Sequence, residues 1–287
     1  MILQDTYTLN NGVEIPKLGL GTWMIEDKNA ANAVKAAIEK GYRHIDTAQA
    51  YGNENGVGEG IRTSGVARED LFVQTKLGAE FKTYEGAVAS IEGSLKDLGL
   101  YYIDLMIIHS PQPWEAFNGE DRYFEGNLAA WKALEEAHQA GKIRAIGISN
   151  FETEDLQNLI SNASVKPMVN QILAHVSNTP FKLIDFCQSE DILVEAYSPI
   201  GHGKILDNET IKSVADKYDV SVPQLCIRYV LQLGLLPLPK TGNPDHMKSN
   251  AELDFDISYE DMQALKTIDP IKDYGDASMF PVYAKKS

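Results

Sequence analysis

Cysteine is scarce in this chain. Its 287 residues include two, Cys187 and Cys226, far apart and in apolar surroundings. They read as buried reduced thiols rather than a disulfide framework. No CxxC or HExxH spacing occurs, and no metal site is expected. The opening stretch MILQDTYTLNNGVEIP has neither a basic start nor a long apolar core, so it is not a signal peptide. No segment approaches the ~20 apolar residues of a membrane helix. Asn-x-Ser/Thr sequons at Asn162 and Asn208 are idle without secretion. A cytoplasmic protein is expected. Positive charge is also short: 26 Lys and Arg face 41 Asp and Glu, a net charge of −15 and a pI of about 4.8. This argues against nucleic acid or an anionic membrane as partner. An anionic ligand would need a local basic island.

Linker tracts, low-complexity blocks and short tandem repeats are absent too, so residues 1–287 read as one domain. What recurs is a structural alternation. A short apolar run meets a polar loop, a helical pattern follows, and the cycle restarts. The first segment differs, because two short runs flank Asn-Gly within residues 5–16, a strong hairpin signal. Eight candidate strands follow: 18–23, 43–47, 71–77, 103–109, 143–149, 167–172, 192–198 and 235–240. Several are nearly continuous apolar runs, as in a parallel sheet buried on both faces. Between them, Ala33, Val34, Ala37 and Ile38 form one helix face; Val88, Ile91, Leu95 and Leu98 form another. Ile211, Val214, Ala215 and Tyr218 fit the same period. Eight strand–helix units in this length predict an α/β fold, a (β/α)8 TIM barrel with an N-terminal β-hairpin cap. A doubly wound open sheet is the alternative. It lacks support because GVGEG (56–60) has the wrong spacing for a dinucleotide fingerprint and follows no strand.

The active site of such a barrel lies at the C-terminal ends of its strands. The strands end, in order, in Thr22 and Trp23; Asp46; Lys76; His109; Ser149 and Asn150; Asn170 and Gln171; Tyr197 and Ser198; and Lys240 and Thr241. Every end is polar or aromatic. A lone Lys there is usually a solvated charge, and a lone His a hydrogen-bonded core residue. Together with Tyr51, five residues after Asp46, they make one device. A phenol has a pKa of about 10, and a nearby ammonium lowers it. An Asp paired with the Lys holds that ammonium in place. A His can donate to a substrate oxygen. Asp46, Tyr51, Lys76 and His109 thus suit protonation of a developing alkoxide.

GYRHIDTAQAYGNE, QTKL, DLMIIHSP, GKIRAIGISNF, VNQI, VEAYSPIG and LPLPKTGNP together resemble the successive motifs of the aldo-keto reductase family, over nearly the whole chain. The resemblance is strongest to short-tailed microbial members of the diketo-gluconate reductase type, since about 20 residues follow the last helical pattern. It implies NADPH-dependent reduction of a small-molecule carbonyl by a monomer. Carried over, Tyr51 is the proton donor, Lys76 lowers its pKa, Asp46 pairs with Lys76, and His109 positions the carbonyl oxygen. Ser149, Asn150 and Gln171 would hold the nicotinamide carboxamide, with Tyr197 stacked on the ring. Ser198 and the backbone near Ile200 would approach the pyrophosphate. Lys240, Thr241, His246 and Asn250 would take the adenosine end. Thr22 and Asp46 complete the cofactor set. Trp23, Tyr51, His109, Ser110 and Trp114 would meet the substrate.

Two positions depart from the family pattern. His246 stands where an Arg is frequent; an Arg fork binds a 2′-phosphate in two parallel bonds, and a His does not. Lys240 and Lys248 keep a basic island, so NADPH preference with some tolerance of NADH is expected. Ser110 replaces a common Trp after the catalytic His, which should widen the carbonyl pocket or make it more polar unless Trp114 fills the space. The loops 111–127 and 270–287 are expected at the mouth. Two other functions compete: a Schiff-base lyase using Lys76, and a cofactor-binding redox-sensing subunit without catalysis.

Overall fold

The structure, a computed structural model, describes residues 1–284. Two short strands, β1 (Thr6–Thr8) and β2 (Glu14–Pro16), pair as an antiparallel hairpin. Its Asn-Gly lies in a three-residue loop. Gly12 donates to Leu9 O with φ at +84°, and Leu9 N donates to Val13 O. A left-handed glycine closes such a loop without a steric penalty. The loop amides Asn10 and Asn11 donate to backbone carbonyls of Pro167, Asp191 and Arg144, at the starts of later strands. The hairpin therefore plugs the N-terminal end of the sheet.

That sheet has eight parallel strands: β3 (Gly19–Gly21), β4 (His44–Asp46), β5 (Phe72–Leu77), β6 (Ile103–Ile108), β7 (Ile143–Ser149), β8 (Val169–Leu173), β9 (Leu193–Tyr197) and β10 (Leu236–Leu238). Each pairs with the next in sequence. Gly21 bridges in parallel to Lys240, closing the ring and excluding the open sheet. Every strand bound lies within two residues of the sequence assignment. The helices are α1 (Asp27–Glu39), α2 (Glu54–Arg62), α3 (Tyr84–Leu98), α4 (Phe124–Gln139), α5 (Thr153–Asn162), α6 (Phe181–Ser189), α7 (Glu209–Lys217), α8 (Val222–Gln232), α9 (Pro244–Ala251) and α10 (Tyr259–Lys266). Several of their ends follow capping chemistry. Thr83 accepts from Gly86 N at the start of α3, and left-handed Gly99 ends it. Ser221 and Gln224 cap α8 reciprocally. The expected apolar faces of α1 and α7 are buried, with Tyr218 at the rim, but Val88 on α3 is 36% exposed and lies off its face. Phe124–Asn127, read as loop, form the first turn of α4.

GVGEG turns out to be a packing device. It sits inside α2, and its three glycines face neighbouring helices. A Cβ on Gly56 would come 2.2 Å from Asp27 O on α1, and one on Gly58 would come 2.0 Å from Leu98 O on α3. Both obstacles are backbone, so neither can step aside. Gly58→Ala should cost about 3 kcal/mol or more, at the upper end of overpacking penalties. Chemical denaturation measures it; a loss under about 0.5 kcal/mol would show that α2 can shift freely.

Candidate active site

A cavity of about 580 Å³ opens at the C-terminal mouth of the barrel, a size that suits a small-molecule site. A larger groove of about 690 Å³ lies by the hairpin, lined by residues such as Met1, Leu3, Lys40 and Arg43, and holds none of the candidate site residues.

Asp46, at the end of β4, and Tyr51, in the 3-10 turn after it, both line the mouth. Lys76, near the end of β5, lies beneath them with no exposure. Its ammonium donates to Asp46 Oδ1 at 2.5 Å and to Thr47 O at 2.8 Å, and sits 4.9 Å from the Tyr51 ring centroid. Sealed and bonded on two sides, Lys76 cannot reach a substrate carbonyl, which removes the geometric basis of a Schiff-base lyase. His109 follows β6, with its ring edge-on to Tyr51 at 5.7 Å between centroids. Burial, then the Lys76 charge, pushes its imidazole well below the usual range, so it is neutral. Its buried Nδ1 has no partner among the described residues. An orphaned N–H is rarer than an orphaned lone pair, which assigns the ring proton to Nε2.

The Tyr51 phenol corrects an expectation. Burial pushes it well above its usual range, and the Asp46 carboxylate adds to the shift. The nearby Lys76 ammonium, matched by Asp46 at 2.5 Å, does not outweigh these two effects. Tyr51 is therefore fully protonated near neutrality, the state a proton donor needs.

Beside this group lie Ser149, Asn150, Gln171 and Tyr197, all lining the cavity. Tyr197 donates to Asn150 Oδ1 at 2.8 Å, and Asn150 Nδ2 donates to His109 O. Ser149 Oγ donates to Gln171 O. Asn150 and Ser198 hold left-handed φ values of +61° and +51°. Such strain in non-glycine residues gathers at functional sites. Ser198, Ile200 and Lys240 line the far part of the same cavity.

Trp23 and Trp114 line the near part, with Trp114 edge-on to His109 at 5.0 Å. Ser110 does not. It is fully buried, its hydroxyl accepts from Gln112 N, and its carbonyl accepts from Lys82 Nζ. The expected substrate contact of Ser110 is thus replaced by a loop-fixing role, and Trp114 supplies the wall. Thr22 is also fully buried, donating to Asp46 O. Thr241 and Asn250 are buried, and His246 is exposed on α9; none of the three lines the cavity. Phe280, Pro281, Val282 and Tyr283, none of them named individually in the sequence reading, form a wall of the cavity. Tyr283 stacks on Trp23 and shares a hydrogen bond with Ser198 Oγ at 2.8 Å. These residues belong to the expected 270–287 segment, whose residues 285–287 lie outside the described region.

The family model of the aldo/keto reductase family matches residues 17–270. The chain belongs to that family. Glyoxal reductase of Bacillus subtilis is 44% identical over 268 residues, 93% of each chain. Among solved structures, a Bombyx mori aldo-keto reductase in complex with NADP is 36% identical at a TM-score of 0.86, covering 98% of this chain and 99% of that one. An aldo-keto reductase from a deep-sea metagenome library is 40% identical at a TM-score of 0.85, covering 92% and 94%. This aldo-keto reductase is an oxidoreductase that reduces carbonyl groups with a nicotinamide cofactor. Neither the lyase nor the non-catalytic sensing subunit finds support. Among the described residues no helix is long and apolar enough to cross a membrane.

The residues present fit that cofactor. Gln171 spends its Nε2 on Asp46 and Glu195, which leaves its Oε1 open to the cavity. Backbone approach is close at Gly21, where a Cβ would come 3.2 Å from Leu238 O. Lys240 supplies positive charge at the far end.

Proposed function

We propose that this protein reduces aldehydes and ketones with NADPH, with Tyr51 as the proton donor. The observation that carries the reading is the convergence of Tyr51 and His109 on one cavity, over the buried Asp46–Lys76 pair. Bound NADPH would supply the hydride to the carbonyl carbon. His109 Nε2–H donates to the carbonyl oxygen and orients it. Tyr51 Oη hands its proton to that oxygen as negative charge develops there. Lys76 stabilises the phenolate left behind, and Asp46 keeps Lys76 in place. Such proton transfer contributes roughly 10²- to 10⁴-fold to rate. Ser149, Asn150 and Gln171 would hold the carboxamide, and Tyr197 one face of the ring. Ser198 and Ile200 would approach the pyrophosphate. Lys240, Thr241, His246 and Asn250 would take the adenosine end.

NADPH is preferred, with NADH tolerated. His246 is exposed on α9 where the family often has an Arg, and Lys248 is shared with Glu252 at 3.7 Å. Lys240 is then the main fixed charge for a 2′-phosphate. Both free cysteines are buried, as suits a reducing compartment, and we read the enzyme as a cytoplasmic monomer acting on small-molecule carbonyls.

Steady-state kinetics on simple aldehydes, ketones, small dicarbonyls and keto acids with both cofactors tests this. The expected result is turnover with both, and a preference for NADPH below about 10³-fold, roughly 4 kcal/mol. No oxidation of either cofactor on the whole panel would sink the reading. A larger preference would sink only the NADH tolerance.

A further inference from the structure

The lumen beneath the active site is polar where barrel scaffolds usually stack Val, Ile and Leu. Glu195, in the middle of β9, is fully buried there. Gln74 on β5 donates to Glu195 Oε2 at 2.7 Å, from the opposite side of the ring. Gln171 on the adjacent strand β8 donates to the same oxygen at 2.8 Å. The Gln171 amide also reaches Asp46 Oδ1 at 3.1 Å, again across the ring. Further down, His44 Nε2 meets Gln74 Oε1 at 2.8 Å. Donor directions follow from the acceptors. An ionised Asp46 only accepts, so Gln171 turns Nε2 towards the lumen. Reversed, its amide would set oxygen against the oxygens of Asp46 and Glu195. In the observed sense, Gln171 Oε1 faces the cavity as an acceptor.

We propose that Glu195 is a positioning residue of this reductase: from the lumen it fixes the Gln171 amide with its oxygen towards the cavity, and so presets an acceptor for the N–H of the cofactor carboxamide. The inference rests on the cavity being the nicotinamide site. It assigns to Glu195 no contact with cofactor or substrate. The arrangement tolerates either protonation state. Burial, then the Asp46 charge, pushes the Glu195 carboxyl up to about 7, and the Lys76 charge opposes them. His44, also facing this cluster through Gln74, is held neutral, at about 4, by burial. Whether or not Oε1 carries a proton, Oε2 still accepts from both glutamines. Oε1 itself has no partner among the described residues, so the residue's work is done by a single oxygen.

That gives a sharp test. In E195Q, the new amide oxygen can replace Oε2 and keep both bonds. E195V removes the acceptor, and E195D withdraws it by one methylene while keeping the charge. Dissociation constants are measured by fluorescence titration for NADP⁺ and for its acetylpyridine analogue, which keeps the carbonyl and lacks the amide N–H. Wild type and E195Q should prefer NADP⁺ to the analogue by about tenfold, the worth of one buried hydrogen bond. E195V and E195D should bind NADP⁺ about tenfold more weakly and lose that preference, because the remaining 3.1 Å bond to Asp46 does not by itself hold the Gln171 amide. A structural defect alone would weaken both ligands equally and leave their ratio intact. If E195V does not fold, E195D decides. Full affinity and full discrimination in E195D or E195V, with wild type binding normally, overturns the role of Glu195 alone. Failure of wild type to bind NADP⁺ overturns the cofactor reading and this inference with it.

Discussion

Replacing Tyr51 by Phe will lower turnover by about 10³-fold, within the range for a lost general acid, and leave the NADPH dissociation constant nearly unchanged. The two readouts separate because of where the hydroxyl lies. Tyr51 lines the cavity with His109 and Trp114, whereas the groups suited to the nicotinamide ring and carboxamide are Tyr197, Asn150 and Gln171. Phe keeps the edge contact with His109 and the ring face over Lys76 at 4.9 Å, and removes only the proton. His109 cannot substitute. Its imidazole is neutral, and giving up its Nε2 proton would require an imidazolate. Single-turnover oxidation of bound NADPH measures the loss at the chemical step. If Y51F retains more than about a tenth of the rate, another group delivers the proton and the mechanism above is wrong.

Replacing Lys76 by Met will destabilise the fold by about 3–5 kcal/mol, the cost of stripping one partner from a buried ion pair. Asp46 is 4% exposed. Without Lys76, its Oδ1 keeps only the 3.1 Å bond from Gln171, and Thr47 O loses its 2.8 Å donor. In a chain of this length that loss corresponds to a fall in Tm of roughly 10 °C. Adding Asp46→Asn should return most of it, since neither charge is then orphaned. Activity should stay low in both variants. Scanning calorimetry on the single and double variants decides; a K76M protein as stable as wild type would mean that the pair contributes nothing to folding.

The barrel was legible because its strands are short apolar runs with polar ends, and closure needs only that they be equivalent. The tetrad was legible for the same reason. Asp46 ends its strand, Lys76 lies one residue from the end of its own, and His109 directly follows β6, and a parallel barrel points such ends at one mouth. Four things were not legible. Glu195 sits two residues before Tyr197, so it shares Tyr197's inward face by period; yet a lone carboxylate inside ILVEAYS shows its partners only once opposite strands are closed on each other. Ser110 was read by its place next to His109. The backbone there turns the serine towards Gln112 and Lys82, and Trp114 takes the wall. The Phe280–Tyr283 wall comes from a segment remote in sequence from every strand it faces. Strand-end logic cannot assign such residues; the aromatic pair in that stretch was the available hint. The direction of the Tyr51 shift was missed because adjacency to a lysine was counted without the burial, and then the Asp46 carboxylate, that outweigh it.

The single bridge between Gly21 and Lys240 has a bearing on how the molecule comes together. All other strand pairs join neighbours along the chain, so each can form over a modest loop. The seam alone joins the first and last strands of the ring, the contact with the greatest closure entropy, and it is held by few bonds, among them Gly21 N to Pro239 O at 3.1 Å. Gly21 and Lys240 both line the cavity. A molecule lodged there touches both edges of the seam at once and acts as a clasp on the joint that is hardest to form.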